Sequence, residues 1–242
     1  MAFVASDVHE HTETDVGYID LARYTVLSGS RHEATSVIYV IDSPEHPSDV
    51  AIYADGLKSW VVTVPVACWN AALTPWPAAA LYREEPDFEG HAAETLEDLL
   101  AHVIPAAEAQ IATETGLAPS ERAICGYSLG GLFSLYAFTH CDAFTACGCL
   151  SGSVWYEGWV EHLQGMDGDL TGRYAYFSLG TKEKRGGQPL MRTVQKRMEE
   201  CVELLRRRGC RVDYVLGPGN HLQHIPERYE AGLRALDGSF TS

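Results

Sequence analysis

Apolar residues fall in short continuous runs separated by stretches of helical period. Ser36–Asp42 (SVIYVID) is a β-branched and aromatic run that ends at a turn signal, Ser43-Pro44. Such a run predicts a strand buried on both faces. Trp60–Val66 (WVVTVPV) reads the same way, with Pro65 placing its end near Val64. Arg122–Tyr127, Thr145–Ser151, Tyr174–Leu179 and Val212–Leu216 predict four more strands. Gly17–Ser28 alternates more roughly and fits an antiparallel edge strand or hairpin.

Between these runs the period changes. Leu96, Leu99, Leu100, Val103, Ala107 and Ile111 recur every three or four residues, predicting a helix over His91–Ala112 that Pro105 kinks. Leu129–His140 predicts a second helix. Leu190–Arg208 predicts a third, with an apolar stripe of Leu190, Val194, Met198, Cys201 and Leu205, and Gly209 as a left-handed cap. Pro226–Leu236 predicts a closing helix with proline in its first turn. Strand and helix alternate from residue 36 onward, so the expected class is α/β, a mostly parallel sheet with helices on both faces. One domain over 1–242 is expected, with 1–16 as a loosely ordered N-terminal segment. Ala67–Gly90, rich in Trp, Pro and Ala, has no clean period and reads as a long irregular segment of the kind that often carries function.

Composition narrows the function. The 242 residues are 46% hydrophobic and 21% charged, which suits a single buried core. The formal net charge of −15 opposes nucleic acid and anionic membrane surfaces as partners. No apolar run approaches the length of a spanning helix, and the polar start lacks a signal-peptide run, so a cytoplasmic, non-membrane protein is expected. Seven cysteines, an odd number, read as free thiols in a reducing compartment. Cys147 and Cys149 share a strand face with no second pair or nearby histidine at ligand spacing, so no zinc or other metal site is read.

Gly126-Tyr-Ser128-Leu-Gly130 matches G-x-S-x-G, between a strand that ends at the serine and a helix that begins after it. That setting presents a serine hydroxyl on a sharp, strained turn, and the glycines remove side chains that would collide there. The N–H of Leu129, at a helix N-terminus, is aimed where an oxyanion would form. A serine needs a base, and ten histidines compete. His221 follows a late strand and the turn Gly217-Pro-Gly-Asn220, which opens it on the same sheet edge as Ser128 and fits the order serine, acid, histidine. His224 is its rival. Glu183 is the one carboxylate in the loop after Tyr174–Leu179 and is the candidate acid that orients the imidazole. Lys182, Lys184 and Arg185 surround it and offer a plain surface pairing instead; Asp142, Asp167 and a serine–histidine pair without an acid are further alternatives. A second oxyanion donor is expected from Asp42–His46, where Pro44 has no N–H, leaving Ser43 or Glu45. Tyr127, Trp155 and Trp69 are the candidate pocket residues, with the rest of Ala67–Gly90 and Trp159 as further wall.

These residues together resemble the esterase D superfamily, including its enterochelin-esterase-like branch, over about residues 36 to 236. Ile124–Phe133 looks like that family's nucleophile segment, Ser151-Gly-Ser-Val-Trp155 like its Ser-rich turn, Gly219-Asn-His221 like its histidine loop, and Tyr39–Asp42 like its first core strand. The resemblance implies an α/β-hydrolase domain without a large cap, acting on esters, some of them siderophore lactones, with Ser128 as nucleophile and His221 as base. Asp42-Ser43 stands where the family has Asp-Gly. The expected function is hydrolysis of a small-molecule carboxylic ester through an acyl-enzyme, needing no metal or organic cofactor. Acyl transfer from the same intermediate, and a non-catalytic hydrolase-fold binding protein, are the alternatives. The residues assign no oligomeric state.

Overall fold

Most of the apolar runs become strands because both of their faces find apolar cover, while Arg211–Gly217, at the sheet edge, stays largely exposed. The computed structural model describes residue 19, residues 24–27 and residues 34–240. The N-terminal segment over 1–16, and most of the edge-strand expectation over 17–28, lie outside the described residues. In chain order the elements are β1 (Thr25–Leu27), β2 (Ser36–Asp42), α1 (Ala51–Ala54), β3 (Trp60–Pro65), α2 (Trp69–Ala72), α3 (Ala92–Asp98), α4 (Ile104–Thr115), β4 (Glu121–Tyr127), α5 (Leu129–His140), β5 (Ala146–Leu150), α6 (Trp159–Gly165), β6 (Tyr174–Gly180), α7 (Val194–Arg207), β7 (Arg211–Gly217) and α8 (Ile225–Ser239).

Among the described residues the seven strands form one sheet in the order β1-β3-β2-β4-β5-β6-β7. Only β1 runs antiparallel, against β3, while the other neighbours pair in parallel. Strand alternation divides the core in two. Val37, Tyr39 and Ile41 of β2 join the cluster under α3, α4, α5, α6 and α7. Ile38 and Val40 point the other way, toward α1 and α8. The sheet is therefore covered on both faces, as the continuous apolar runs require. All seven cysteines are free. Cys125, Cys147 and Cys149 are fully buried and pack as small hydrophobes.

Several boundaries differ from the sequence expectation: the helix expected from Leu190 begins at Val194 after a 3-10 turn over Met191–Thr193, the closing helix runs on to Ser239, and two further differences involve proline. β3 extends to Pro65, which pairs with Asp42. Pro65 is the last residue of β3 and lies beyond Thr63, the outermost β3 partner of β1 among the described residues. The helix expected over His91–Ala112 is broken into α3 and α4 by a π-helical turn, Leu99–Val103, in which the Ile104 N–H bonds to the Leu99 carbonyl. Pro105 follows at once; its ring would press on the carbonyl four residues back, and the wider turn relieves that crowding. The short helices α1 and α6 had no clear period.

Strand order reverses between β2 and β4, because β3 lies to one side of β2 and β4, β5, β6 and β7 to the other. A crevice forms beyond the carboxyl ends of strands at such a switch point. The loops after β2 and β4 meet there, and those after β6 and β7 open on the same edge.

Candidate active site

The site is built on the turn between β4 and α5. Ser128 has φ 58° and ψ −122°, a conformation that costs a residue with a Cβ of order 1–3 kcal/mol. The surroundings enforce it. Its N–H donates to the Leu150 carbonyl at 3.1 Å, and its own carbonyl accepts from Gly131, Leu132 and Ser153. A Cβ on Gly126 would lie 2.5 Å from the Gly130 carbonyl, and one on Gly130 would lie 3.1 Å from the Trp69 ring. Gly126 is thus required for the turn to close, and Gly130 leaves the Trp69 ring its place beside it.

His221, in the loop between β7 and α8, meets this serine. Its Nε2 lies 3.1 Å from Ser128 Oγ and its Nδ1 2.9 Å from Glu183 Oε2. The order serine, acid, histidine is thus realised after β4, β6 and β7. His224 sits at the start of α8 and turns its Nδ1 to Glu227 at 3.2 Å.

Glu183 is buried, with a side chain 4% exposed, while Lys182, Lys184 and Arg185 point to solvent. The surface pairing is therefore not formed. Its Oε1 accepts from the Ser151 hydroxyl at 2.8 Å and from the Gly180 N–H at 2.7 Å. Burial pushes its pKa up, but the bonds and charge of His221 and the donors at Gly180 and Ser151 outweigh burial, and the carboxyl is held below its ordinary value. An ionised carboxylate only accepts, so the Nδ1 proton of His221 stays on the imidazole and Nε2 keeps a lone pair toward the hydroxyl. Asp142 pairs instead with Arg173, at the opposite sheet edge. Asp167 is exposed, beside Arg208.

Sequence reasoning missed Arg228. This α8 residue is 5% exposed and donates to the Tyr127 hydroxyl at 2.6 Å and to the Pro218 carbonyl at 3.0 Å. Its one signal was position: Ile225, Tyr229, Leu233 and Leu236 put it on the apolar side of the helix. Ser153 was also passed over, and its hydroxyl lies 3.4 Å from that of Ser128.

The N–H of Leu129 heads α5 and belongs to the first turn, whose donors have no partner within the helix. Ser43 departs from expectation. Its N–H donates to its neighbour's carboxylate, Asp42 Oδ1, at 2.9 Å. Asp42 also receives the Ser48 N–H, so it pins the 43–48 loop and draws the Ser43 N–H away from an oxyanion. Burial raises the Asp42 pKa, against the bonds from Ser48 and Ser43.

A cleft of about 1330 Å³ opens over Ser128, with Trp69, Tyr127 and Tyr229 in its walls. Trp155 does not reach it; this residue is buried against Phe88 and Tyr156, because the turn after β5 directs it into the core. Trp159 is wholly buried and stacks on Trp76. The irregular segment contributes its two ends to the cleft, Ala67–Ala71 and Glu85–Glu89, and is closed by a bridge between Ala78 and Phe88. Asp42, Glu45, Glu85, Asp87 and Glu89 line the cleft, and no Lys or Arg among the described residues does. Among the described residues no group of three or more His, Cys, Asp or Glu is placed to hold a metal ion, and no helix is long and apolar enough to cross a membrane.

Comparison with known proteins agrees with this architecture. The Bacillus subtilis (strain 168) protein named "Uncharacterized protein YbbA" is 33% identical over 173 residues, 68% of each chain. Siderophore hydrolase EstA from Aspergillus nidulans superposes with a TM-score of 0.67 at 17% identity over 89% of both chains. An IroE-like serine hydrolase from Shewanella oneidensis gives 0.69 at 17% identity, over 89% of this chain and 75% of that one. The family model described as "Putative esterase" matches residues 28–212. The chain belongs to this esterase family, as an ester hydrolase on an α/β-hydrolase fold.

Proposed function

We propose that the chain hydrolyses a carboxylic ester through an acyl-enzyme on Ser128. His221 takes the hydroxyl proton as Ser128 attacks the acyl carbon, and Glu183 stabilises the imidazolium that forms. The Leu129 N–H donates to the oxyanion. His221 then protonates the leaving alkoxide, and water, activated by the same imidazole, releases the acid. The observation that carries this reading is the continuous relay Ser128–His221–Glu183, at 3.1 and 2.9 Å.

The cleft bears on the substrate. One of the structural neighbours is a siderophore hydrolase, so a siderophore-type ester is one class to test. The five carboxylates in this cleft would repel a polyanionic ferric complex, and they favour an ester without net negative charge. The seven free cysteines support a cytoplasmic location.

The test is turnover of p-nitrophenyl esters from acetate upward, run beside an uncharged siderophore ester, with rapid quench to trap the acyl-enzyme. The expected result is an acyl group on Ser128 that forms before free acid appears. Release of acid by Ser128→Ala at the wild-type rate would refute the mechanism.

A further inference from the structure

Arg228 is a buried cation on a helix face where methionine would fill the same space without desolvating a charge. A buried guanidinium paired with a buried carboxylate in such a place calls for an explanation, since apolar replacement of a buried ion pair is often neutral or stabilising. Its contacts supply one. Nη1 donates to the Tyr127 hydroxyl at 2.6 Å and lies 3.5 Å from Glu183 Oε1. Nη2 donates to the carbonyls of Pro218 at 3.0 Å and Asn220 at 3.3 Å. Tyr127 in turn donates to the carbonyl of His221 at 2.7 Å.

One guanidinium therefore touches the acid, the loop that carries the base, and the residue next to the nucleophile. Gly180 makes room for it: a Cβ there would lie 2.5 Å from Arg228 Nη2 and 2.5 Å from the Gly219 carbonyl. The loops after β6 and β7 are also tied through Thr181 N–H to Gly217 and Lys182 N–H to Gly219. These ties set the approach of the two loops but leave the His221 peptide to the Arg228–Tyr127 pair.

We propose that Arg228 is a positioning residue. Its planar fork fixes the Pro218–His221 backbone against Glu183 and Tyr127, so that the imidazole stands in line between carboxylate and hydroxyl. It touches no reacting atom. The planar two-point fork matters as well as the charge, because an ammonium presents its three donors from one point on a flexible stem and does not hold the Tyr127 hydroxyl and the Pro218 carbonyl in one fixed plane.

The inference rests on the serine mechanism proposed above, and the test separates the two. Wild type, Arg228→Met, Arg228→Lys and the control Arg234→Met are reacted with a fluorophosphonate. Adduct formation at Ser128, kcat, KM and thermal melting are measured. Arg234 is an exposed α8 residue paired with Glu230. The expected labelling and kcat fall roughly a hundredfold for Met and roughly tenfold for Lys, as misplacement of a reacting group does, with KM little changed and the control unaffected.

Labelling of either folded variant at the wild-type rate, or a rise in KM with kcat intact, overturns the inference. If Arg228→Met does not fold, the Lys variant alone decides it. If wild type itself takes no adduct at Ser128, the serine mechanism fails, a result distinct from equal labelling of wild type and variants.

Discussion

The imidazole of His221 stands 3.1 Å from the hydroxyl of Ser128, although 93 positions separate them in the chain. The sheet brings them together. β4 and β7 are parallel members of one sheet, and both end at the edge where the strand order opens a crevice. Glu183, after the intervening β6, lies behind the imidazole. If this contact is the working relay, Ser128→Ala and His221→Ala should each cut kcat by about four to six orders of magnitude. Melting temperatures should change little, since neither side chain is a core anchor. Steady-state kinetics beside circular-dichroism melts check both halves.

Glu183→Gln is expected to cost about 10⁴-fold in kcat, because the amide offers Nδ1 a donor as readily as an acceptor and the tautomer is no longer fixed. It should also lower the melting temperature, since Arg228 loses a buried charge partner.

The pH dependence of stability has a definite sign. The Glu183 carboxyl is held below its ordinary value of 4.5. Its contribution is therefore complete above that value and is lost as pH falls through the lower folded value. Asp42 has the opposite sign: burial raises it, so it costs stability at neutral pH and ceases to do so once protonated. Melts of wild type and Glu183→Gln across pH 7 to 3 should differ at neutral pH and converge in acid. A gap that widens in acid would contradict the assignment.

Gly126→Ala should damage folding as well as activity. Its Cβ would sit 2.5 Å from the Gly130 backbone, which has no flexible end to give way. A loss of about 1–3 kcal/mol is expected from such overpacking. Denaturant titration reads it directly.

Cleft charge gives a test that leaves Ser128, His221 and Glu183 untouched. With five carboxylates among its lining residues, an ester bearing an anionic group should show a lower kcat/KM than its neutral isostere. The gap should shrink as salt rises toward about 1 M, where the Debye length is near 3 Å. Equal rates at low salt would show that the carboxylates do not face the bound substrate.

Much of this was legible in the residues. The run SVIYVID became β2 with the expected bounds because Val37–Ile41 are apolar on both faces and the polar residues at its two ends, Ser36 and Asp42, find hydrogen-bond partners. G-x-S-x-G became the tight turn because a Cβ on Gly126 would strike the Gly130 backbone and one on Gly130 would crowd the Trp69 ring. The pairing of His221 with Ser128 followed from parallel strands ending at one edge. What the chain hid was the direction each side chain takes in the folded structure. Arg228 looks like any helix charge until its fork is seen among carbonyls from another loop. Ser43 looked available until the side chain beside it took its N–H. Trp155 resembled a pocket residue, but the turn after β5 sends it inward. In each case the deciding contact is made by groups that no local period records.

The most direct test of the central claim is the site of covalent capture. The protein is incubated with diisopropyl fluorophosphate, weighed intact and mapped by peptide, in wild type and in His221→Ala. The account requires one adduct per chain, on Ser128, formed far more slowly when the imidazole is absent. An adduct on another residue, or equal rates with and without His221, would contradict it.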